Sequence, residues 1–171
     1  MSQVPFERSY WIIKGQLLAG GIPAAPEPER AVSRVKALMD VGVDAIINLM
    51  EEDECDYNGN PFFDYAPHLI DNKIKVYRFP IRDMAIPSPI QMSRILAQVD
   101  DCINNNKVVY VHCWGGLGRT GTVIGCYLIK KKIADTSSVL DMIIELKKDS
   151  GLSNFESPQT EDQRTFVLEW D

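Results

Sequence analysis

The chain has few cysteines, and their spacing argues against two kinds of site. Four cysteines occur among 171 residues, without the closely spaced pairs of a zinc site and without the density of a secreted disulfide scaffold. This usage leaves room for a reactive thiol and favours a cytoplasmic location. No residue pattern indicates a metal site or a cofactor, and none is expected.

Long apolar runs and an excess of positive charge are also missing. No segment approaches the roughly 18 uninterrupted apolar residues of a membrane span, and residues 1–6 lack the design of a signal peptide. The formal net charge of −6 disfavours broad binding to nucleic acid or to an anionic membrane, because such binding uses clustered Lys and Arg. We expect a soluble monomer that binds neither, and any anion site must be local.

What the sequence does contain is enough apolar material for one core. Apolar residues make up 45% of the chain, which predicts a single domain over residues 1–171. Apolar runs predict strands at Trp11–Leu18, Val43–Leu49, Ile74–Ile81 and Val108–Val111. Helical spacing predicts helices that begin near Pro28 and Ser88, and others at Thr120–Lys130, around Val139–Leu146 and at Gln159–Leu168. This alternation predicts an α/β fold with a short, mostly parallel central sheet flanked by helices on both faces.

Local signals mark several of these boundaries. Ser88-Pro89-Ile90-Gln91 is a capping-box pattern with Pro at the first helical position. Gly42 is well placed just beyond the end of the first helix. The segment Ala19-Gly20-Gly21-Ile22-Pro23 predicts a turn after the first strand, and the acidic segment 51–64 predicts a surface loop.

A glycine-rich segment lies between the last predicted strand and the helix that begins at Thr120. It reads His112-Cys113-Trp114-Gly115-Gly116-Leu117-Gly118-Arg119-Thr120. Inward-turned backbone N–H groups and the positive end of the following helix together form an anion site. Arg119 adds a bidentate phosphate ligand, and the same positive field favours the thiolate form of Cys113. An anionic nucleophile in a phosphate cradle predicts attack on phosphorus, which gives a phosphocysteine that water resolves.

The pattern His-Cys-x5-Arg followed by Thr resembles the signature of the protein tyrosine phosphatase superfamily, and most closely that of its small dual-specificity branch. The resemblance implies that Cys113 is the nucleophile and that Arg119 binds the phosphate and the transition state. It implies that His112 orders the loop around the thiolate and that the Thr120 hydroxyl stabilises the thiolate as a leaving group. The implied cradle, which would also accept sulfate or vanadate, is the backbone of Trp114, Gly115, Gly116, Leu117, Gly118 and Arg119.

Expulsion of an alkoxide or phenoxide requires a general acid from a second loop. Asp83 follows a predicted strand and precedes Ile86-Pro87-Ser88-Pro89, so it lies on a stiff loop at the sheet edge that also bears Cys113. In the dual-specificity family an Asp at a similar distance before the Cys has this role, and here the interval is 113 − 83 = 30 residues. We assign the acid role to Asp83; the alternative is a solvated carboxylate that caps a turn.

Two glutamines near the C-terminus are candidates for the second half of the reaction. Gln159-Thr160-Glu161-Asp162-Gln163 resembles the glutamine loop of classical tyrosine phosphatases, in which Gln side chains position the hydrolytic water. An uncharged amide suits this task because it both donates and accepts. Because Ser157-Pro158-Gln159 is also an ordinary helix start, the roles of Gln159 and Gln163 stay open.

Other assignments are left open by the sequence. A buried Arg needs a carboxylate partner, and Glu51, Glu52 and Glu54 are equal candidates to orient Arg119. The aromatic residues of the acidic loop either wall a pocket or, as we favour, anchor the loop to the core: Tyr57, Phe62, Phe63 and Tyr65. Some relatives protect the nucleophile as a disulfide, so Cys55 and Cys102 stay open as partners of Cys113, whereas Cys126 is predicted to pack in the core.

The predicted activity is metal-independent hydrolysis of phosphate monoesters, with a phosphorylated protein or peptide as the favoured substrate. Lipid-directed members of the superfamily often carry extra Lys or Arg within the loop, whereas Trp114, Gly115 and Leu117 occupy those positions here. Phosphoinositides and RNA 5′ ends are thereby disfavoured. A phosphoprotein-binding module without turnover is the rival from another class, and such modules usually lack the Cys, Arg or Asp. A nucleotide-binding loop is disfavoured because the Lys is missing, and a sulfurtransferase because its gap from Cys to Arg is shorter.

Overall fold

The computed structural model describes residues 4–171, except for the side chains of residues 70–72. Five strands form one sheet in the order β1-β2-β5-β3-β4, with β1–β2 antiparallel and every other pair parallel. The strands are β1 (Ser9–Ile13), β2 (Leu17–Gly21), β3 (Val43–Asn48), β4 (Lys75–Arg78) and β5 (Val108–Cys113). The prediction of a short, mostly parallel sheet is confirmed.

Five α-helices and one 3-10 helix surround the sheet. The α-helices are α1 (Pro28–Asp40), α2 (Pro89–Asn104), α3 (Gly118–Lys130), α4 (Val139–Leu146) and α5 (Glu161–Leu168), and the 3-10 helix is Ala66–Asn72. Ser88 caps α2 by accepting a hydrogen bond from the backbone N–H of Gln91, as the sequence predicts. Gly42 follows α1 with φ of +84°, also as predicted. No helix of the described residues is long and apolar enough to cross a membrane.

The sheet buries both of its faces, which explains why its strands lack polar alternation. One face packs against α1 and the 3-10 helix through Leu18, Ile46 and Tyr110. The opposite face packs against α2, α3, α4 and α5, and residues of β3 and β5 such as Ile47 and Val111 point into that larger cluster. Helices therefore cover both faces, and β5 lies in the centre of the sheet.

The first predicted strand is wrong in its extent. The segment Trp11–Leu18 spans a hairpin instead, because β1 ends at Ile13 and the chain reverses through Gly15, whose φ is +75°. The predicted turn at Ala19-Gly20-Gly21 is strand as well, since Gly21 pairs with Cys113 at the end of β5. The apolar run hid the reversal because both arms of the hairpin are apolar.

Other boundaries also differ from the predicted ones. α3 begins at Gly118 rather than Thr120, so its first turn includes Arg119, and β3 ends at Asn48 rather than Leu49. β4 ends at Arg78 rather than Ile81, although the backbone N–H groups of Phe79 and Ile81 still donate to the carbonyls of Asn48 and Leu49 beyond the regular strand. β5 extends beyond Val111 to Cys113, so the thiol lies on the last residue of a strand. α5 begins at Glu161 rather than Gln159, because Thr160 and Gln163 form a complete capping box.

Candidate active site

The glycine-rich loop connects the central strand β5 to the N-terminus of α3, at the carboxyl edge of the sheet. Gly116 makes the sharpest turn, with φ of +79°. A Cβ on Gly116 would lie 2.4 Å from the backbone carbon of Gly20 and 2.4 Å from the backbone nitrogen of Gly21. Glycine is therefore required at position 116 for both its conformation and the space available.

Donors from outside the loop bind its carbonyl groups. These bonds run from Ile22 N to the Trp114 carbonyl at 3.0 Å, from Arg8 Nη2 to the Gly115 carbonyl at 2.9 Å, and from Ser157 Oγ to the Leu117 carbonyl at 2.8 Å. Carbonyls fixed on the outside leave the loop N–H groups free for an anion inside. The N–H of Gly116 already points at the Cys113 sulfur, at 3.3 Å.

His112 is buried behind the loop in a defined tautomer. Its Nδ1 lies 3.0 Å from the Cys113 carbonyl and its Nε2 lies 2.6 Å from the Tyr65 hydroxyl. Burial lowers the pKa of His112 to about 4, so the ring is neutral, donates from Nδ1 and accepts the Tyr65 proton at Nε2. This arrangement fixes the carbonyl of Cys113, as the loop-ordering role implied by the resemblance requires.

The Thr120 hydroxyl donates to the Gly20 carbonyl at 3.3 Å rather than to the Cys113 sulfur. A hydroxyl has one proton to donate, so stabilisation of the thiolate would require this side chain to rotate. The leaving-group role of Thr120 stays a prediction. In this structure the residue ties α3 to β2.

Arg119 is 1% exposed and is held by groups from two loops. Its Nη1 donates to the Ile81 carbonyl at 2.9 Å and also to the Glu54 carboxylate. Glu54 is therefore the carboxylate that orients Arg119, whereas Glu52 pairs with Arg78 at the surface. Buried Arg119 Nη2 makes no hydrogen bond of good geometry, although an Asp83 oxygen lies 2.9 Å away. Nη2 of Arg119 can therefore donate a hydrogen bond to an anion bound in the loop.

Burial and neighbouring charges shift the pKa values of Glu54 and Arg119 in this site. Burial raises the pKa of Glu54, and the hydrogen bond and charge of Arg119 oppose that shift. Burial lowers the pKa of Arg119, but the negative charges of Cys113, Glu54 and Asp83 outweigh this and raise it above its usual value. The guanidinium therefore stays charged in a site that carries several acids.

Asp83 lies on the loop between β4 and α2, and its carboxylate reaches the mouth of the glycine-rich loop. The side chain is 48% exposed, and the ion pair with Arg119 is its link to the site. The next residue, Met84, has φ of +61°, which bends the loop sharply. The two loops meet, as the sequence predicts. This position fits both a general acid and a solvated carboxylate that caps a turn, so the acid role of Asp83 stays a prediction.

The two glutamines have different environments. Exposed Gln159 lines the cleft, and its Oε1 would lie 2.8 Å from a Cβ placed on Gly118. Gln163 is fully buried, where Nε2 donates to the Ala85 carbonyl at 3.1 Å and Oε1 accepts from the backbone N–H groups of Gln159 and Thr160. Gln159 is therefore free to contact water in the cleft, whereas the Gln163 amide is engaged by the backbone.

The cleft above Cys113 has a volume of about 250 Å³ and an aromatic rim. Tyr57 is 93% exposed and lies against Trp114 with ring centroids 4.6 Å apart, so it does not anchor the acidic loop to the core. Tyr65 is the buried anchor of that loop. The lining residues are Arg8, Tyr57, Asp83, Met84, Cys113, Trp114, Gly115, Leu117, Arg119, Phe155 and Gln159.

Sequence reasoning missed three residues of the site. Arg8 precedes β1, Tyr65 lies at the end of the acidic loop and Phe155 precedes α5, all distant in sequence from Cys113. No local pattern marks Arg8 or Phe155, because only the tertiary fold brings them to the cleft. Tyr65 could have been suspected, since buried His112 needs a partner for its second nitrogen.

All four cysteines are free thiols. Cys126 is buried in α3, and this prediction of core packing is confirmed. Cys102 is buried on α2 and Cys55 is exposed on the acidic loop. Protection of Cys113 by either thiol stays a prediction.

A family model described as "Polymorphic toxin system, DSP-PTPase phosphatase" matches residues 24–132. This segment is more than half of the chain and contains the whole glycine-rich loop, Glu54 and Asp83. It ends within the turn after α3, so α4, α5 and the two glutamines lie outside the match.

Two curated proteins show the extent of sequence similarity. Cyclin-dependent kinase inhibitor 3 from Sus scrofa is 32% identical over 86 residues, which are 48% of this chain and 40% of that protein. The putative tyrosine phosphatase 197R of Invertebrate iridescent virus 6 is 32% identical over 112 residues, which are 60% of this chain and 36% of that protein. The match therefore spans less than half the length of either relative.

Solved structures share the fold over nearly the whole chain. Tk-PTP in the active form superposes with a TM-score of 0.71 at 24% identity, covering 96% of this chain and 97% of that one. PTPMT1 in complex with PI(5)P gives 0.70 at 17%, covering 94% and 93%. P. aeruginosa TpbA in complex with pTyr gives 0.69 at 15%, covering 99% and 88%. At these identities the likeness shows the fold alone.

Proposed function

Because this chain belongs to the DSP-PTPase family of the protein tyrosine phosphatase superfamily and is a phosphatase, we propose that it hydrolyses phosphotyrosine in proteins through a covalent phosphocysteine. The main support for this proposal is that three reactive groups lie around one cleft. Cys113 and Arg119 line the same cleft, which Asp83 borders from a second loop, where it forms an ion pair with Arg119 Nη2. A nucleophile, an anion ligand and an acid thus converge on one small volume.

The first step forms a bond between the Cys113 sulfur and phosphorus. The phosphoryl oxygens bind the loop N–H groups and Arg119, which offset the charge of the transferred group. The bond between phosphorus and the tyrosine oxygen breaks, and protonated Asp83 transfers its proton to that oxygen. The products of this half-reaction are tyrosine and phosphocysteine.

Substrate binding changes the partner of Asp83. In this structure its carboxylate faces Arg119 Nη2 at 2.9 Å, and a bound phosphate competes for the same donor. A bound phosphate therefore separates the Asp83 carboxyl group from Arg119 and leaves it beside the oxygen of the leaving group.

The second step returns the enzyme to its starting state. Gln159 orients a water molecule opposite the sulfur, and the Asp83 carboxylate removes a proton from it as it attacks phosphorus. The bond between sulfur and phosphorus breaks, inorganic phosphate leaves and Cys113 becomes a thiolate again. Gln163 supports this step indirectly, because it holds the backbone of Gln159.

The shape of the cleft supports an aromatic substrate with one phosphate. Tyr57 and Trp114 form an aromatic wall that suits a tyrosine ring. Arg119 is the one cation among the described loop residues 112–120, and Arg8, which also lines the cleft, donates to the Gly115 carbonyl on the outside of the loop. This arrangement supports a single phosphate in the cradle. Phe155 provides a further apolar group at the rim.

Hydrolysis of an aryl phosphate and of a phosphotyrosine peptide tests the proposal directly. We expect wild-type activity to resist a chelator and to be inhibited by vanadate, and Cys113→Ser to abolish it. A phosphoserine peptide and a phosphoinositide serve as competing substrates in the same assay. Activity that survives Cys113→Ser contradicts the mechanism, and faster turnover of the phosphoinositide contradicts the substrate.

A further inference from the structure

A second and larger cavity adjoins the catalytic cleft. It has a volume of about 570 Å³, and Arg8 and Trp114 line both cavities, so the two are neighbours on either side of these side chains. Its lining residues are Arg8, Ile22, Ala24, Ala25, Pro26, Pro28, Arg34, Asp56, Asn60, Pro61, Phe62, Phe63 and Trp114. The proposed reaction uses none of this volume, although a ligand in the cleft could extend directly into it.

Two arginines give this second cavity a positive side. Arg34 donates to the Ala24 carbonyl and lies over the Phe6 ring, with 5.5 Å between Cζ and the ring centroid. Within residues 4–69 and 73–171, no carboxylate lies within ion-pair distance of Arg8 or Arg34. The nearby acid Glu7 pairs with Arg30 instead, at 3.6 Å.

The carboxylate on the opposite side of the cavity is already engaged in its own loop. Asp56 accepts hydrogen bonds from the backbone N–H of Asn58 at 2.8 Å and of Asn60 at 2.9 Å. The Asn60 side chain also donates to Asp56, at 3.2 Å. These hydrogen bonds stabilise the turn of the acidic loop and lower the pKa of Asp56, so its carboxylate is charged. Among the described residues it forms no ion pair with Arg8 or Arg34, because its oxygens are directed towards its own loop.

The remaining lining is apolar and rigid. Phe62 packs against Trp114 with ring centroids 5.1 Å apart, and prolines line the cavity at positions 26, 28 and 61. A cavity of this volume with apolar walls and a few convergent polar groups is typical of a binding site. Phosphate alone would leave those walls uncovered, so the ligand needs both an apolar part and an anionic group.

From these contacts we infer that the second cavity binds the peptide segment flanking the phosphotyrosine, and that Arg34 and Arg8 select segments with a carboxylate side chain. The inference rests on the proposed function and adds a sequence preference to it. The apolar walls contact the peptide chain and its side chains, while the carboxylate pairs with the guanidinium groups of Arg8 and Arg34, whose present partners are backbone carbonyls. A protein of net charge −6 thus recruits acidic substrates through a local cluster of arginines.

A pair of peptides tests this preference without altering the protein. The two phosphotyrosine peptides differ only in the flanking residues, which are glutamates in one and the isosteric glutamines in the other. We expect kcat/KM of the wild-type enzyme to be roughly three- to tenfold higher for the glutamate peptide, as one or two partly exposed charge pairs would give. Equal kcat/KM values would overturn the inference.

Variants then locate the source of the preference. Arg34→Gln should bring the ratio of the two kcat/KM values close to one, and Arg34→Lys should restore part of it. Arg30→Gln is the matched control, because it removes the same charge one turn earlier on α1 and Arg30 does not line the cavity. Thermal unfolding of each variant checks that it is folded. Equal losses of selectivity in Arg30→Gln and Arg34→Gln would contradict a local site.

The outcomes separate this inference from the proposed function. If both peptides are hydrolysed equally well, phosphotyrosine hydrolysis stands and the acidic preference is wrong. If neither peptide is hydrolysed but a phosphoinositide is, the proposed protein substrate is wrong and the preference falls with it. If the wild-type enzyme prefers the glutamate peptide and Arg34→Gln removes this preference, the result supports both the proposed function and the acidic preference.

Discussion

The buried imidazole of His112 makes stability depend on pH in a predictable window. The pKa of His112 is lowered to about 4 in the folded protein, whereas an unfolded His titrates near 6.5. Between these values the unfolded chain binds the proton and the folded one does not. The contribution of His112 to stability is therefore fully present above about pH 6.5 and is lost as the pH falls towards 4.

We expect His112 to contribute a loss of about 2 kcal/mol in the free energy of unfolding between pH 7 and pH 5. Urea denaturation at both pH values measures it. Glu54 has a raised pKa and shifts stability in the opposite direction, so the His112 contribution is isolated by subtracting the result for His112→Asn. Identical pH dependence in wild type and His112→Asn would contradict a neutral buried imidazole.

Glu54 is the second residue whose individual contribution can be measured. Glu54→Gln preserves the size of the side chain but removes the charge that holds Arg119, so the guanidinium loses its fixed orientation towards the phosphate. A displacement of a catalytic group by about 1 Å can cost a factor of 100 in rate. We therefore expect kcat/KM for an aryl phosphate to fall roughly 10- to 100-fold.

The matched control for this prediction is Glu52→Gln. The Glu52 side chain is 86% exposed and lies 3.7 Å from Arg78, so its removal should change kcat/KM little. Steady-state kinetics of both variants at pH 7 provide the comparison. Similar losses in the two variants would show that Glu54 acts only through the general negative charge of the loop.

At the scale of elements, α5 is joined to two functional loops through one side chain. Gln163 connects the N-terminus of α5 to the Ala85 carbonyl of the acid loop and to the backbone N–H of Gln159. Removal of the Gln163 amide leaves these partly buried groups without their partners, which costs about 1 kcal/mol. It also releases the backbone that positions the Gln159 side chain in the cleft.

We expect Gln163→Ala to destabilise the protein and to slow the hydrolysis of phosphocysteine more than its formation. Rapid mixing with an aryl phosphate measures the two steps, because an initial burst of phenol reports formation and the later steady rate reports hydrolysis. Gln98→Ala on α2 is the control, since the Gln98 amide donates to the buried Cys102 thiol, at 3.6 Å, and Gln98 does not line the cleft. An unaltered ratio of burst to steady rate in Gln163→Ala would limit Gln163 to a structural role.

The elements that sequence predicts well are those with a local cause. The cap at Ser88, the glycine after α1 and the apolar run of β5 each depend on residues next to one another in the chain. The hairpin of β1 and β2 was missed, because its two arms are equally apolar and a single glycine marks the reversal. The early end of β4 follows from pairing with β3, which ends at Asn48 opposite Arg78, and no residue near Arg78 signals that partner.

At the scale of the whole molecule, the site is a product of parallel topology. Strands β2, β3, β4 and β5 run in the same direction, so the segments that follow them meet at one edge of the sheet. The sequence therefore predicts that Asp83 and the loop after β5 approach each other. It does not predict which acid reaches Arg119, because Glu51, Glu52 and Glu54 differ only in how the acidic loop folds over the site.

The same limit applies to the second cavity. Arg8 and Arg34 belong to the hairpin and to α1, and no sequence pattern relates them to Trp114 in the glycine-rich loop. Packing of α1 and the acidic loop around β2 places these residues on one cavity. Long-range packing therefore determines the proposed substrate preference, whereas a contiguous segment determines the chemistry.

The covalent step at Cys113 is the central requirement of the proposed mechanism. A rapid acid quench during turnover of a phosphotyrosine peptide, followed by mass spectrometry of the digested protein, measures it directly. We predict that the phosphoryl group is found on the peptide containing Cys113, that Gln159→Ala increases its amount, and that Cys113→Ser neither carries the group as an intermediate nor turns over substrate. The proposed mechanism is contradicted if Cys113→Ser releases phosphate at the wild-type rate. It is also contradicted if the wild-type enzyme releases phosphate without a phosphorylated Cys113.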